Sequence, residues 1–130
     1  MEIPTNIQTY DTPLSTIWID GQGILCSVAK KDVPLTIDRL QNVYTVIHGL
    51  TNGKKICTLT IMTNVSTADR ETRAYASKEN AIFTKAMALV AESKVSSFIA
   101  NLFIGFQKSA YPIKVFSEAT EAKKWLSQYL

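Results

Sequence analysis

Short apolar runs alternate with longer segments of helical periodicity along most of this chain. Apolar runs that have the length of a β-strand occupy residues 16–20, 24–29, 56–62, 87–91 and 113–116. Continuous runs of this kind are typical of strands in a parallel sheet that is covered on both faces. The first two runs are joined by the glycine-rich sequence Asp20-Gly21-Gln22-Gly23, which predicts a tight turn and an antiparallel hairpin.

The first predicted helix begins near Pro34 and Thr36, with Thr36 as its N-cap. Either Gly49 or the pair Asn52-Gly53 ends it, because glycine and asparagine adopt the left-handed conformation that terminates many helices. Its inward stripe consists of apolar residues at helical spacing: Ile37, Leu40, Val43, Tyr44, Ile47 and Leu50.

The second predicted helix follows the run at 56–62 and begins at Ser66 or Thr67. Either residue is placed to cap the helix, and Asp69 supplies an acid in its first turn. The pattern predicts a break at Ser77, after which the chain forms another helical turn or two up to Lys85. The residues expected to face the core from that last part are Ile82 and Phe83.

Two further helices are predicted in the last third of the chain, with Ser93 and Ser117 as their caps. The first of them carries a broad apolar face that consists of Val95, Phe98, Ile99, Leu102, Phe103 and Phe106. The second has a narrower apolar stripe that consists of Ala122, Trp125, Leu126 and Tyr129.

Strands and helices therefore alternate regularly once the hairpin has been passed. Such alternation predicts βαβ crossovers and an α/β fold whose sheet is mostly parallel, with helices covering it. We expect residues 1–13, which include Pro4 and Pro13, to form an extended lead-in, and residues 14–130 to form a single α/β domain.

Several short phrases resemble the SpoIIAA-like or STAS-like superfamily, and most closely uncharacterised bacterial proteins with STAS/SEC14-like domains. These phrases cover about residues 14–128, and they are packing and capping patterns with no catalytic signature. They are Ile17-Trp18-Ile19-Asp20 with Gly23-Ile24, Leu35-Thr36-Ile37-Asp38, Arg73-Ala74-Tyr75, Asn101-Leu102-Phe103-Ile104-Gly105-Phe106, Tyr111-Pro112-Ile113, and Ala122-Lys123-Lys124-Trp125-Leu126.

The resemblance implies a single-domain βα superhelix with strands in sequential order and an antiparallel first strand at one edge. STAS proteins commonly act as regulators, and in anti-sigma-factor antagonists a Ser or Thr after a central strand is phosphorylated to switch partner binding. The comparable position here reads Asn64-Val65-Ser66-Thr67, so it departs from the family pattern, in which an Asp precedes the phosphorylated residue.

The charge of the chain argues against a nucleic-acid-binding protein. Its 130 residues carry a net charge of only +3, and the 14 basic residues are scattered along the sequence. A nucleic-acid footprint requires basic residues that cluster on one face. The longest nearly apolar segment, residues 98–106, is too short to span a bilayer, so we expect no transmembrane segment.

The location predicted from the sequence is the cytoplasm. The N-terminus lacks the basic region and apolar core of a signal peptide. Cys26 and Cys57 lie inside predicted strands and are expected to be reduced core residues, because the chain has no Cys-x-x-Cys motif.

The sequence does not predict an enzyme. His48 is the only histidine, and its position near the end of the first helix is typical of a helix-end residue. We therefore expect no histidine-based metal site, and without a glycine-rich dinucleotide fingerprint we expect no nucleotide cofactor. The function predicted is a non-enzymatic regulatory or protein-interaction domain.

The one position with a physical argument for function lies beyond the strand at 56–62. Ligands of parallel sheets bind beyond the carboxyl ends of strands, and a helix N-terminus there attracts anions. The residues predicted to meet at this partner-binding or anion-binding surface are Ser66, Thr67, Arg70 and Arg73.

An alternative function is the binding of a small apolar or lipid-like ligand. It is based on the aromatic residues Phe98, Phe103 and Phe106 and on the lipid-binding half of the family resemblance. Ile104 falls on the otherwise polar side of the same helix, which suggests a homodimer as a further possibility.

Overall fold

The computed structural model describes residues 3–62, 68–91 and 110–130. Within these ranges the chain forms a six-stranded sheet in which every strand lies next to the strand that precedes it in sequence. The strands are β1 (Tyr10–Asp11), β2 (Ser15–Ile19), β3 (Leu25–Ala29), β4 (Ile56–Met62), β5 (Thr84–Ala91) and β6 (Ile113–Phe116). The described helices are α1 (Ile37–Thr51), α2 (Arg70–Phe83) and α3 (Ala119–Leu126), and a 3-10 helix (Ser127–Tyr129) follows α3.

The pairing of the strands confirms a mostly parallel sheet with an antiparallel hairpin at its N-terminal side. Strand β2 pairs antiparallel with β3, whereas β3, β4, β5 and β6 are mutually parallel. Strand β1, which the sequence analysis did not predict, pairs antiparallel with β2 through Tyr10 opposite Ile17. This strand has only two residues, so it leaves no periodic pattern in the sequence.

Helix α1 has the predicted boundaries. The Thr36 hydroxyl accepts a hydrogen bond from the Arg39 N–H at 3.3 Å, and this bond caps the first turn. The helix ends at Asn52, whose φ of 50° is left-handed and whose N–H donates to the His48 carbonyl. Of the two predicted stops, the Asn52-Gly53 pair is therefore the one used, because it supplies the left-handed residue that closes the helix.

Helix α2 differs from its prediction at both ends. Its N-cap is Asp69, so the predicted caps Ser66 and Thr67 are wrong. The predicted break at Ser77 is also wrong, because serine is only mildly unfavourable inside a helix and the surrounding residues sustain it. Ile82 is 51% exposed and not inward, since the buried stripe of a continuous helix contains Thr72, Ala76 and Phe83.

Strand β5 begins at Thr84, directly after the last residue of α2. The predicted helical turn up to Lys85 is therefore wrong, and the strand starts before the predicted position, Met87. The physical reason is non-local: Thr84 pairs with Ile56 of β4, and this pairing extends the ladder toward the helix.

Each face of the sheet carries its own core. Helices α1 and α2 cover the face on which Ile17 and Leu25 lie, and α3 covers the opposite face. The buried residues of the first core are Leu14, Ile17, Leu25, Leu40, Val43, Tyr44, Ile47, Ala76 and Phe83. Those of the second are Trp18, Ile24, Cys26, Cys57, Leu59, Ile61, Ala86, Ala88, Val90, Ala122 and Leu126.

Small residues allow α3 to approach the sheet closely. Ala122 on the helix and Ala86 and Ala88 on β5 are fully buried. The predicted cap Ser117 is wrong, because Glu118 is the N-cap residue and its side chain makes no capping hydrogen bond. The helix is held by packing: Leu126 is fully buried, and Trp125 packs against the same core from a half-buried position.

The predicted aromatic helix, with its cap Ser93 and its residues Phe98, Phe103 and Phe106, lies outside the described residues. Within the ranges that the structure describes, no helix is both long enough and apolar enough to cross a bilayer.

Candidate functional site

The predicted site lies where β4 ends and α2 begins. Arg70 is the first residue of α2 and is exposed, and Arg73 follows one turn later in a half-buried position. The structure therefore brings these two arginines together at the start of the helix. Ser66 and Thr67, the other two predicted site residues, lie outside the described residues.

Asp69 is the N-cap of α2 and not, as was predicted, an acid within its first turn. Its carboxylate accepts a hydrogen bond from the Thr72 N–H at 2.8 Å, and its carbonyl accepts one from the Arg73 N–H at 3.0 Å. Hydrogen bonds from the Thr72 hydroxyl and N–H lower the pKa of the Asp69 carboxyl, and the positive charge of Arg73 lowers it further. The Asp69 carboxylate thus already occupies the anion-attracting end of the helix.

The sequence contains a local signal for this cap. Asp is as good an N-cap as Ser or Thr, and Thr72 three residues later supplies the N–H that the carboxylate binds. Ser66, Thr67 and Asp69 all match the local pattern of a cap, so this pattern alone does not select one of them.

The electrostatics of the site are mixed. Arg70 and Arg73 contribute two positive charges, whereas Asp69 and the exposed Glu71 contribute two negative ones. The Asp69 carboxylate accepts a hydrogen bond from the helix, and the guanidinium group of Arg70 is an exposed positive charge at the start of α2. Guanidinium groups pair with carboxylates and phosphates through two parallel hydrogen bonds. The chemistry available to this surface is therefore recognition of an anionic group.

A second group of polar and aromatic side chains connects α1 with α2. The Tyr44 ring lies 5.9 Å from the rings of both Tyr75 and Phe83, measured between centroids. His48 Nε2 lies 3.8 Å from Glu79 Oε2, and the His48 and Phe83 rings are nearly perpendicular, with centroids 5.9 Å apart. These contacts fix the two helices side by side. His48 is at the helix end, as predicted, in the last turn of α1.

A related contact reaches the segment before β6. Burial raises the pKa of Tyr111, and the nearby Asn80 side chain of α2 opposes this shift. Burial likewise raises the pKa of Tyr44. The segment that precedes β6 therefore lies near α2.

The two cysteines are free and buried, as predicted. Burial raises the pKa of Cys26 to about 12, and the nearby carboxylate of Asp20 adds to this effect. Burial also raises the pKa of Cys57, although the positive charge of Lys85 opposes it. Because only a thiolate is a good nucleophile, neither side chain is suited to nucleophilic chemistry.

Among residues 3–62, 68–91 and 110–130, no group of three or more His, Cys, Asp or Glu side chains is arranged to hold a metal ion. The predictions of an apolar-ligand site at Phe98, Phe103 and Phe106, and of a homodimer through Ile104, concern residues outside these ranges, and they stay predictions.

Comparison with solved structures supports the fold. An uncharacterised protein of the DUF3478 family with a SpoIIAA-like fold, from Shewanella loihica PV-4, superposes with a TM-score of 0.64 at 14% identity, covering 96% of this chain and 99% of that protein. The expected SpoIIAA-like fold is therefore confirmed. A protein of unknown function from Arthrobacter sp. FB24 has a TM-score of 0.32 at 24% identity, covering 85% of this chain and 97% of that protein.

Comparison with sequences gives the family. No curated protein sequence matches this chain significantly. Residues 17–130 match a domain of unknown function, DUF7793, and this match includes β3 to β6 and all three described helices. The chain belongs to the DUF7793 family.

Proposed function

We propose that this chain is a non-enzymatic regulatory domain that docks a protein partner through Arg70 and Arg73, here called the arginine surface. The observation that supports it most directly is the exposed position of Arg70 at the first residue of α2, beyond the carboxyl end of β4. This is the edge at which α/β sheets present ligand-binding residues.

The cap formed by Asp69 determines which groups of this surface can bind an anionic group of the partner. Its carboxylate accepts the Thr72 N–H and repels a second anion from the helix end. An anionic group of a partner therefore pairs with the guanidinium groups and not with the helix N–H groups. Arginine is enriched in protein interfaces for this reason, because its planar fork matches a carboxylate or a phosphate.

Control by phosphorylation is part of the proposal. Ser66 and Thr67 precede Arg70 by four and three residues in the sequence. A phosphate group on either residue would add nearly two negative charges close to Arg70 in the chain and compete with the partner for the guanidinium group. A cytoplasmic location also belongs to the proposal, and the free, buried state of Cys26 and Cys57 supports it.

The test compares partners captured by the tagged wild-type chain with those captured by Arg70→Ala and Ser66→Asp. Lys78→Ala is the matched control, because Lys78 is an exposed cation on the same helix, two turns away from Arg70. We expect quantitative mass spectrometry to show at least one protein that Arg70→Ala loses and Lys78→Ala retains. If Ser66→Asp and Arg70→Ala both leave the captured proteins unchanged, the proposal is wrong.

A further inference from the structure

Three exposed lysines lie where the parallel strands β4 and β5 begin. The arginine surface lies at the opposite side of the sheet, beyond the carboxyl end of β4. Lys54 and Lys55 are in the turn between α1 and β4, and Lys85 is the second residue of β5. Strands β4 and β5 are parallel neighbours, so the residues at their starts lie at the same edge. We call these three residues the lysine edge.

The backbone holds the first two lysines in place. Asn52 and Gly53 have φ values of 50° and 79°, which give the turn a defined left-handed conformation. The Lys54 N–H donates to the Thr51 carbonyl at 3.1 Å, so the turn is tied back to the last turn of α1. Lys55 then directly precedes Ile56, the first residue of β4.

Lys85 is directed outward by a β-bulge. Thr84 pairs with Ile56 and Ala86 pairs with Cys57, so Lys85 is the extra residue between two consecutive pairs. It is the exposed residue of a strand in which the other seven residues are buried. Bulges of this kind occur near functional sites, where they redirect a side chain.

Two carboxylates near this edge contact residues other than the three lysines. The Asp20 carboxylate, in the turn at the same edge, lies 2.9 Å from Lys123 Nζ. Glu79, one turn before the end of α2, lies 3.8 Å from His48. None of the three lysines forms an ion pair with a residue in the described part of the chain.

We propose that the lysine edge is a second docking surface, which binds an acidic segment of a partner protein. Its three lysines are preorganised by the turn and the bulge, so binding costs little ordering of the backbone. Nucleic acid fits less well, because its electrostatic footprint is a basic face larger than three lysines provide. The inference is independent of the proposed function, since the two surfaces lie at opposite edges of the sheet.

The experiment measures binding of a fluorescein-labelled decaglutamate peptide by fluorescence anisotropy at low salt. The test variant carries Lys54→Glu, Lys55→Glu and Lys85→Glu. The control variant carries Lys31→Glu, Lys78→Glu and Lys114→Glu, which change the net charge equally at exposed positions outside both proposed surfaces. We expect the test variant to lose about tenfold or more in affinity, whereas the control changes by less than about twofold.

Other outcomes contradict the inference in distinguishable ways. Equal losses in both variants would show that only net charge matters. A loss confined to a separate Arg70→Glu variant would place the peptide on the arginine surface, which overturns this inference and supports the proposed function. Equally tight binding of a single-stranded DNA of the same charge would show that the edge does not select protein. If the triple variant does not fold, the variant with only Lys54→Glu and Lys55→Glu replaces it, because it leaves the bulge intact. It should also lose more affinity for the peptide than the control variant does.

Discussion

The Asp20 carboxylate and the Lys123 ammonium group lie 2.9 Å apart, and this ion pair joins the β2–β3 turn to α3. The other carboxylate oxygen accepts the N–H groups of Gln22 and Ile24, each at 2.9 Å. Burial raises the pKa of Asp20, but the hydrogen bonds from Ile24, Lys123 and Gln22 outweigh it, so the net pKa is below its usual value.

The substitution Asp20→Asn is expected to lower the free energy of unfolding at pH 7 by about 1–3 kcal/mol, because it removes charge-assisted hydrogen bonds. The folded-state pKa of Asp20 is depressed, so its stabilisation is complete above its ordinary pKa of 3.8 and is lost as the pH falls through the folded-state pKa. Urea unfolding at pH 7, 5 and 3 should show the wild type losing its advantage at the lowest pH. Glu121→Gln, an exposed carboxylate on α3, serves as the control, and a difference that does not vary with pH would contradict the interpretation.

Substitutions of Asp69 should lower the melting temperature to different extents, depending on how well the new residue caps α2. Asp69→Ala removes the acceptor of the Thr72 N–H and should lower the melting temperature. Asp69→Asn should lower it much less, because asparagine also caps helices well. Differential scanning fluorimetry of the two variants measures the effect. Equal melting temperatures for Asp69→Ala and the wild type would show that another residue caps the helix.

The contact between α3 and the sheet should be intolerant of changes in volume. Leu126 is fully buried, so Leu126→Ala should cost about 2–5 kcal/mol through lost packing and the remaining cavity. Ala122→Leu should cost about 1–3 kcal/mol for the opposite reason, because it forces the helix away from β5. Chemical denaturation gives both values, and Gln128→Ala, at an exposed position, is expected to change stability by less than about 0.5 kcal/mol.

Both cysteines should be unreactive in the folded protein. Burial raises the pKa of Cys26 to about 12, so the thiolate is scarce at pH 8, and the side chain is also buried. Labelling with a thiol-specific disulfide reagent should therefore be slow for both residues and become fast in denaturant. Rapid labelling of one cysteine under native conditions would show that the strand carrying it opens locally.

The fold was predictable because its signals are local and repeated. Thr36 and Asn52-Gly53 mark the ends of α1 by their own conformational preferences, and the run at 56–62 coincides with β4. The start of α2 was not predictable to the residue, since Ser66, Thr67 and Asp69 satisfy the same capping pattern. The break predicted at Ser77 failed for a related reason: one serine is too weak a signal to end a helix.

The candidate site was predictable only in part. Arg70 and Arg73 were predicted from their position after β4, and the structure places both at the start of α2. The lysine edge was not predicted, because the bulge at Lys85 depends on the register between β4 and β5. That register is set by pairing between residues that are distant in sequence, and no local pattern records it.

The sequence by itself determined the class of the fold: alternating apolar runs and amphipathic helices must bury their faces against each other, and a mostly parallel sheet with helical cover does so. Only the tertiary structure decided which charged side chains contact each other and which remain exposed. Asp20 is satisfied by Lys123, Glu79 lies beside His48, and Lys85 projects from a strand that is otherwise buried. The physical reason is that burial follows from local periodicity, whereas the pairing of charges depends on which distant segments the fold brings together.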